Sequence, residues 1–226
     1  SYGSVMKLVN LKYFDVIPVN ESETETLVIE NCQLLRNLIE DLVYQIETDE
    51  GDFILSDDRN KPLLLSKSMM LITDIFHLDT TGKSLKTKLN NLIISEYSDI
   101  EGREQLMERL NNLGITICNE CPYPLSFKSN LTFTDVIKML DFTLDISEGK
   151  FWERFMEYIS VSFELLGFKT LVTLNLKDFI SKEEYDELIK SFSYKNIPVL
   201  MIESRQHADL DSNSHIHIID NDLCVL

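Results

Sequence analysis

Glycine is scarce: seven residues in a chain of 226. A phosphate cradle of backbone N–H groups needs several glycines close together, so there is little material for one. Cysteine is scarce as well, at four (Cys32, Cys118, Cys121, Cys224). That is too few for a disulfide framework and favours free thiols in a reducing compartment. No apolar run approaches the roughly 18 residues of a membrane helix. No basic start precedes an apolar stretch, so no signal peptide is expected and the expected location is the cytoplasm. Ser1 to Val5, ahead of Met6, read as a leftover of expression and are set aside. Cationic side chains are the minority, 21 Lys and Arg against 38 Asp and Glu, for a net charge of −17. Taken as a sum, this argues against nucleic acid. A local basic surface still binds DNA if the acidic groups lie beyond a screening length of about 8–10 Å.

What is present is an ordinary globular composition, 44% hydrophobic and 26% charged. The chain is organised around Lys169 to Glu203. Thr170 to Leu176 is β-branched and apolar, as in a buried strand. Ser181-Lys182-Glu183-Glu184 fits a capping box, and Tyr185, Leu188, Ile189 and Phe192 follow at helical spacing. Pro198 cannot continue that helix, and Ile197 to Ile202 is a second apolar run. The pattern predicts a βαβ unit with parallel strands and a right-handed crossover. By itself it specifies no site.

Along the chain, a first strand is expected over Leu8 to Asp15 and a second at Leu27-Val28-Ile29. A helix follows, capped by Asn31 and buried through Leu34, Leu35, Leu38, Leu42 and Ile46. Phe53 to Leu55 and Leu63 to Leu65 read as strands around a turn, and Ser68 to Thr73 as another strand. Leu85, Leu89, Leu92 and Ile93, then Leu106, Leu110 and Leu113, predict an αα-hairpin joined near Asp99 to Gly102 and ended by Gly114. Ile115 to Cys118 returns to strand character. Thr132 caps a helix through Val136, Ile137 and Leu140, and Phe142 to Asp145 reads as a strand. Lys150 to Leu166 is an aromatic-rich helix closed by Gly167. Arg205 to Ser214 is a polar loop, and His215 to Ile219 alternates as a last strand. The division expected is an α/β domain over 1–78 and 115–226 with an inserted helical arm over 79–114.

Several motifs fall short of a site. Gly82-Lys83-Ser84 resembles the tail of a phosphate loop, but His77 stands where the first glycine belongs. Asp209-Leu210-Asp211-Ser212-Asn213 begins like a calcium loop, with Ser214 in place of the turn glycine and Asp220 in place of the bidentate Glu. His215 and His217 share a strand face, a spacing that can chelate a transition metal but that more often lies on a solvated edge. Cys118 and Cys121 lack the second pair of a structural zinc site and read as unrelated thiols. Neither a nucleophile elbow nor a catalytic carboxylate pair is evident. The basic residues are more suggestive. Arg59, Lys61 and Lys67 gather around one hairpin, and Lys83, Lys86 and Lys88 at the start of the arm. They read either as solvated lysines or as a surface that tracks phosphates.

The order of elements, with Leu27-Val28-Ile29-Glu30, Met70 to Ile75, Asp135 to Leu140, Leu171 to Asn175 and Phe179 to Glu184 leading to Leu200 to Arg205, resembles the ring-forming, DNA-end-binding accessory proteins of type II-A CRISPR systems, the Csn-two family. The resemblance implies an ATPase-like α/β head with a βαβ core, an inserted helical arm and no working nucleotide loop. It implies a homotetrameric ring whose lysine-lined hole holds linear double-stranded DNA. Its task would be non-catalytic support of the CRISPR integrase and effector proteins in spacer acquisition, an antiviral defence. An ATP-driven enzyme of the same fold class and an acidic protein-binding adaptor are the alternatives. Family members carry an acidic run, with calcium, before the helix matching Thr132 to Leu140. Here that run is Leu125 to Asn130, flanked only by Glu120 and Asp135, so calcium is not expected to hold this oligomer together.

Overall fold

The computed structural model describes residues 5–213 and 215–219. The chain divides into two compact units, Ser1–Leu78 with Ile146–Leu226, and Asp79–Asp145.

The first unit holds two sheets. β1 (Val5–Asn10) and β2 (Phe14–Asn20) form an antiparallel hairpin, extended by β4 (Ile54–Ser56) and β5 (Pro62–Leu63) in the order β2-β1-β4-β5. The single strand expected over Leu8 to Asp15 is thus two strands. Between them Asn10 organises the turn: its carbonyl accepts from Tyr13 N at 2.9 Å and its side chain from Lys12 N at 3.1 Å. Val5, set aside from the sequence, belongs to β1.

The second sheet is parallel throughout. Its strands are β3 (Glu25–Ile29), β6 (Met69–Ile72), β7 (Thr170–Leu174), β8 (Val199–Glu203) and β9 (His215–Ile219), in the order β6-β7-β8-β3-β9. Successive side chains on a strand face opposite ways, and the core follows that parity. Val172, Leu200 and Ile202 pack with Met6, Leu8, Ile17 and Val19 of the antiparallel sheet and with Leu35, Leu38 and Leu42 of α1 (Cys32–Thr48). Leu171, Val199 and Met201 face the other way, into a cluster with Phe155 and Ile159 of α6 (Phe151–Leu166) and Tyr185, Leu188 and Phe192 of α7 (Lys182–Tyr194). Both faces are covered, which is why β7 and β8 read as near-continuous apolar runs. The expected βαβ unit is present as β7-α7-β8, with β7 and β8 paired in parallel.

The helix ends follow their local sequences. Asn31 Oδ1 accepts from Leu34 N at 2.9 Å. Ser181 and Glu184 exchange backbone bonds at 2.9 and 3.2 Å in a full capping box. Gly167 stops α6 at φ 74°, a left-handed conformation that costs glycine little.

The second unit holds α3 (Lys83–Glu96), α4 (Arg103–Glu120) and α5 (Phe133–Leu140). It runs past residue 114, where the arm was expected to end, because Gly114 does not stop α4. The helix continues through Ile115 to Cys118, where a strand was expected. Gly114 is there for space: a Cβ at that position would collide with the Phe127 ring. β-branched residues disfavour helix by a few tenths of a kcal/mol each, too little to break an established helix. Phe142 to Asp145 likewise joins no strand. Among the described residues, no helix is long and apolar enough to cross a membrane.

Candidate nucleic-acid interface

Arg59 and Lys61 project from the turn between β4 and β5. Asp57 shapes that turn, its Oδ1 accepting from Arg59 N at 3.0 Å and Lys61 N at 2.8 Å. With Asp57 spent on the backbone and Asn60 in the left-handed region at φ 58°, both cationic side chains are exposed. The sequence missed Lys7, on neighbouring β1, whose Nζ reaches Asn60 Oδ1 at 3.1 Å and adds a third cation to this turn. The missed signal was register: Lys7 lies opposite Ser56. Lys67 is exposed in the last turn of α2 (Leu65–Ser68).

The other basic group lies on α3. Lys83 and Lys88 are exposed. Lys86 is not free: its Nζ is 2.6 Å from Asp141 Oδ1, just beyond α5, and only 28% of its side chain is exposed. Among the described residues, Arg59, Lys61, Lys67, Lys83 and Lys88 form no ion pair with a carboxylate, so their charge is directed at solvent.

The remaining motifs resolve into structure. Gly82 is the residue before α3, and the Asp79 carboxylate lies so close that a Cβ on Gly82 would fall 2.6 Å from it. An anionic side chain therefore stands beside the start of this helix, its Oδ1 accepting from Thr81 N at 3.2 Å. At the carboxyl end of β3, the turn into α1 is only Glu30 and Asn31, and Asn31 already caps the helix.

The resemblance implied calcium near Asp135. The residues do not fit it. Asp135 Oδ1 is 2.8 Å from Lys128 Nζ, while Oδ2 accepts from Thr132 N at 2.8 Å and Thr132 Oγ1 at 2.7 Å. Lys128 first, and Thr132 next, hold this carboxyl well below the usual range. A lysine ammonium stands where a cation would bind.

Asp211, the third position of the loop that begins like a calcium site, is engaged by a lysine as well. The loop from Arg205 that looked polar folds inward, burying His207, Leu210 and Asp211. Asp211 Oδ1 is 2.6 Å from Nζ of Lys177, a fully buried lysine that also donates to Thr26 Oγ1 at 3.0 Å and lies over the Tyr185 ring. Glu203 Oε1 accepts from Lys177 N at 3.3 Å, and its Oε2 is 3.7 Å from His207 Nε2. Burial pushes the Glu203 carboxyl up to about 7, against the pull of Lys177. Burial also lowers His207. Ser214 and Asp220 of the calcium-like loop, and Cys224, lie outside the described residues; Cys118 and Cys121 are free thiols, Cys118 within α4.

A family model described as CRISPR-associated protein (Cas_Csn2) matches residues 45–223, more than half of the chain. The chain is similar to CRISPR-associated protein Csn2 of Streptococcus agalactiae, 24% identical over 91% of each chain. It is similar to the Enterococcus faecalis protein of the same name, 21% identical over 83% of this chain and 86% of that one. Among solved structures it is similar to two ATP-binding cassettes of ABC transporters, one in an ADP conformation and one nucleotide-free. Their TM-scores are 0.41 and 0.42 at 15% identity, covering 95% of this chain and 87% of each of those.

Proposed function

The chain belongs to the Csn2 family of CRISPR-associated proteins, and from that premise we propose that it is a non-catalytic protein that binds the ends of double-stranded DNA during spacer acquisition. It acts in the cytoplasm as a homotetrameric ring threaded on linear duplex, alongside the CRISPR integrase and effector proteins. The family membership carries the reading. The exposed cations Arg59, Lys61, Lys67, Lys83 and Lys88, unpaired within the described chain, support it. They face solvent in a protein of net charge −17, and cations of this kind contact phosphates without reading sequence. Exposed apolar residues along α4, namely Leu106, Leu113, Ile115 and Ile117, support self-association. The carboxylate at Gly82 and the short β3–α1 turn support a role without nucleotide turnover.

Threading predicts that linear duplex binds and covalently closed circles of the same sequence do not. Contact with about six phosphates predicts a loss of about a thousandfold in affinity from 50 to 200 mM salt. Equal affinity for circles and linear DNA overturns the ring. No direct DNA binding at low salt, in a chain so acidic, would favour an adaptor that meets DNA only through partners. A saturable calorimetric titration with Mg-ATP would favour the ATP-driven enzyme.

A further inference from the structure

Glu25 opens β3 with a fully buried side chain, yet no lysine or arginine among the described residues pairs with it. A buried carboxylate without a compensating cation is strongly unfavourable. Imidazoles face it instead. His215 Nδ1 is 3.3 Å from Glu25 Oε1, and His217 Nε2 is 3.0 Å from Oε2. The register explains the convergence: β9 pairs with β3 so that Glu25 lies beside His215 and Leu27 beside His217, and residues two apart on a strand share a face. A second carboxylate arrives from the turn ahead of β3. Glu23 Oε2 is 3.3 Å from the same His215 Nδ1. The ligand atoms of Glu23, Glu25 and His215 all lie within 4.8 Å of one another.

These separations suit a metal better than a proton. A charge-assisted N–H···O bond is about 2.7–2.9 Å, and one Nδ1 proton is a poor bridge to two carboxylates at 3.3 Å each. Ligands bonded at about 2.0–2.1 Å to a tetrahedral ion stand about 3.3–3.4 Å apart. We propose that Glu23, Glu25 and His215 bind a divalent transition-metal ion of the zinc class, with His217 as a positioning residue that fixes Glu25 through its second oxygen. An imidazole with two carboxylates selects such an ion, whereas calcium takes about six to eight oxygens. His215 and Glu23 are 62% and 54% exposed, which leaves an entry path and a corner for water. The ion would fasten the edge strand β9 to the turn before β3, adding its binding free energy to folding.

The test uses the full chain, stripped with chelator and titrated with cobalt(II), followed by its visible absorption, and with zinc by calorimetry. One ion per chain is expected, together with a rise in the thermal midpoint. Glu23→Gln and His215→Ala alter solvent-exposed side chains and should leave the fold intact. Each should weaken binding by about a hundredfold or more, and His217→Ala by about 10–100-fold, the usual effect of losing an outer-shell partner. His77→Ala, whose imidazole is bonded to Asp74 elsewhere, should bind as the parent does. A parent chain that takes up no stoichiometric ion overturns the proposal. So does an unchanged affinity in His215→Ala.

Discussion

Lys86 holds Asp141 at 2.6 Å, tying α3 to the residue that ends α5. That contact separates one member of the basic group on α3 from its neighbours. Lys83 and Lys88 offer their charge to solvent; Lys86 spends its charge inside its own unit. The double reversal Lys83→Glu with Lys88→Glu should therefore keep the oligomer and weaken DNA binding, lowering the salt slope by about one unit per lost contact. Lys86→Glu puts two carboxylates together and should lower stability by about 1 kcal/mol, read as a lower thermal midpoint. Arg59→Glu with Lys61→Glu is the parallel test on the other group. Wild-type DNA affinity in both double variants would remove these four cations from the interface.

Because Lys128 and Thr132 take up both oxygens of Asp135, calcium should be dispensable for assembly. Size exclusion with light scattering should give the same mass in EGTA and in calcium. A tetramer that falls apart in EGTA and re-forms on calcium addition would contradict this.

Gly114 gives a prediction whose sign runs against propensity. In an open helix, Gly→Ala stabilises by about 1 kcal/mol. Here the new methyl meets the Phe127 ring, and overpacking costs about 1–3 kcal/mol. Gly114→Ala should lower the thermal midpoint, and adding Phe127→Ala should restore part of it. A Gly114→Ala chain more stable than the parent would show that the ring moves aside freely.

Glu203 sets a pH dependence. Its carboxyl titrates at about 7 in the folded chain, against an ordinary value near 4.3 when unfolded. The folded state therefore binds more protons between these values. The stabilisation from protonated Glu203 is complete below the unfolded value and is lost as pH rises through 7. Lys177 and His207 face it, as do the Asp178 and Asp211 charges that add to the upward push. Glu203→Gln should flatten the decline between pH 5 and 8, by an amount on the order of 3 kcal/mol. Denaturant midpoints across that range measure it, and an unchanged slope in the variant would refute the assignment.

The sequence made some of this legible and hid the rest for identifiable reasons. The capping box at Ser181 and the near-continuous apolar runs of β7 and β8 are local signals, and they placed the central βαβ unit. Asn31, Thr132 and Gly167 did the same for helix ends. Gly114 misled because glycine serves both as a helix stop and as a gap for a ring, and only Phe127 decides which. Ile115 to Cys118 misled because β-propensity is weaker than the helix already running. Lys177 gave no signal at all: its partners Asp211 and Thr26 are 34 and 151 residues away. The cations Arg59, Lys61, Lys83 and Lys88 were visible as charges, but the pairing that removes Lys86 from solvent was not.

The strand order carries a consequence for how the chain acquires its fold. β3 is synthesised early, yet both of its neighbours, β8 and β9, come at the far end; Glu25 and His215 are 190 residues apart. Closing such distant pairs is slow, and an apolar strand left waiting is exposed to aggregation. The hairpin of β1 and β2, with α1 and β4, is complete long before then and can shelter one face of β3 while the ribosome is still at work. With β3 bare until release, its apolar faces would stay open to aggregation for the whole of synthesis.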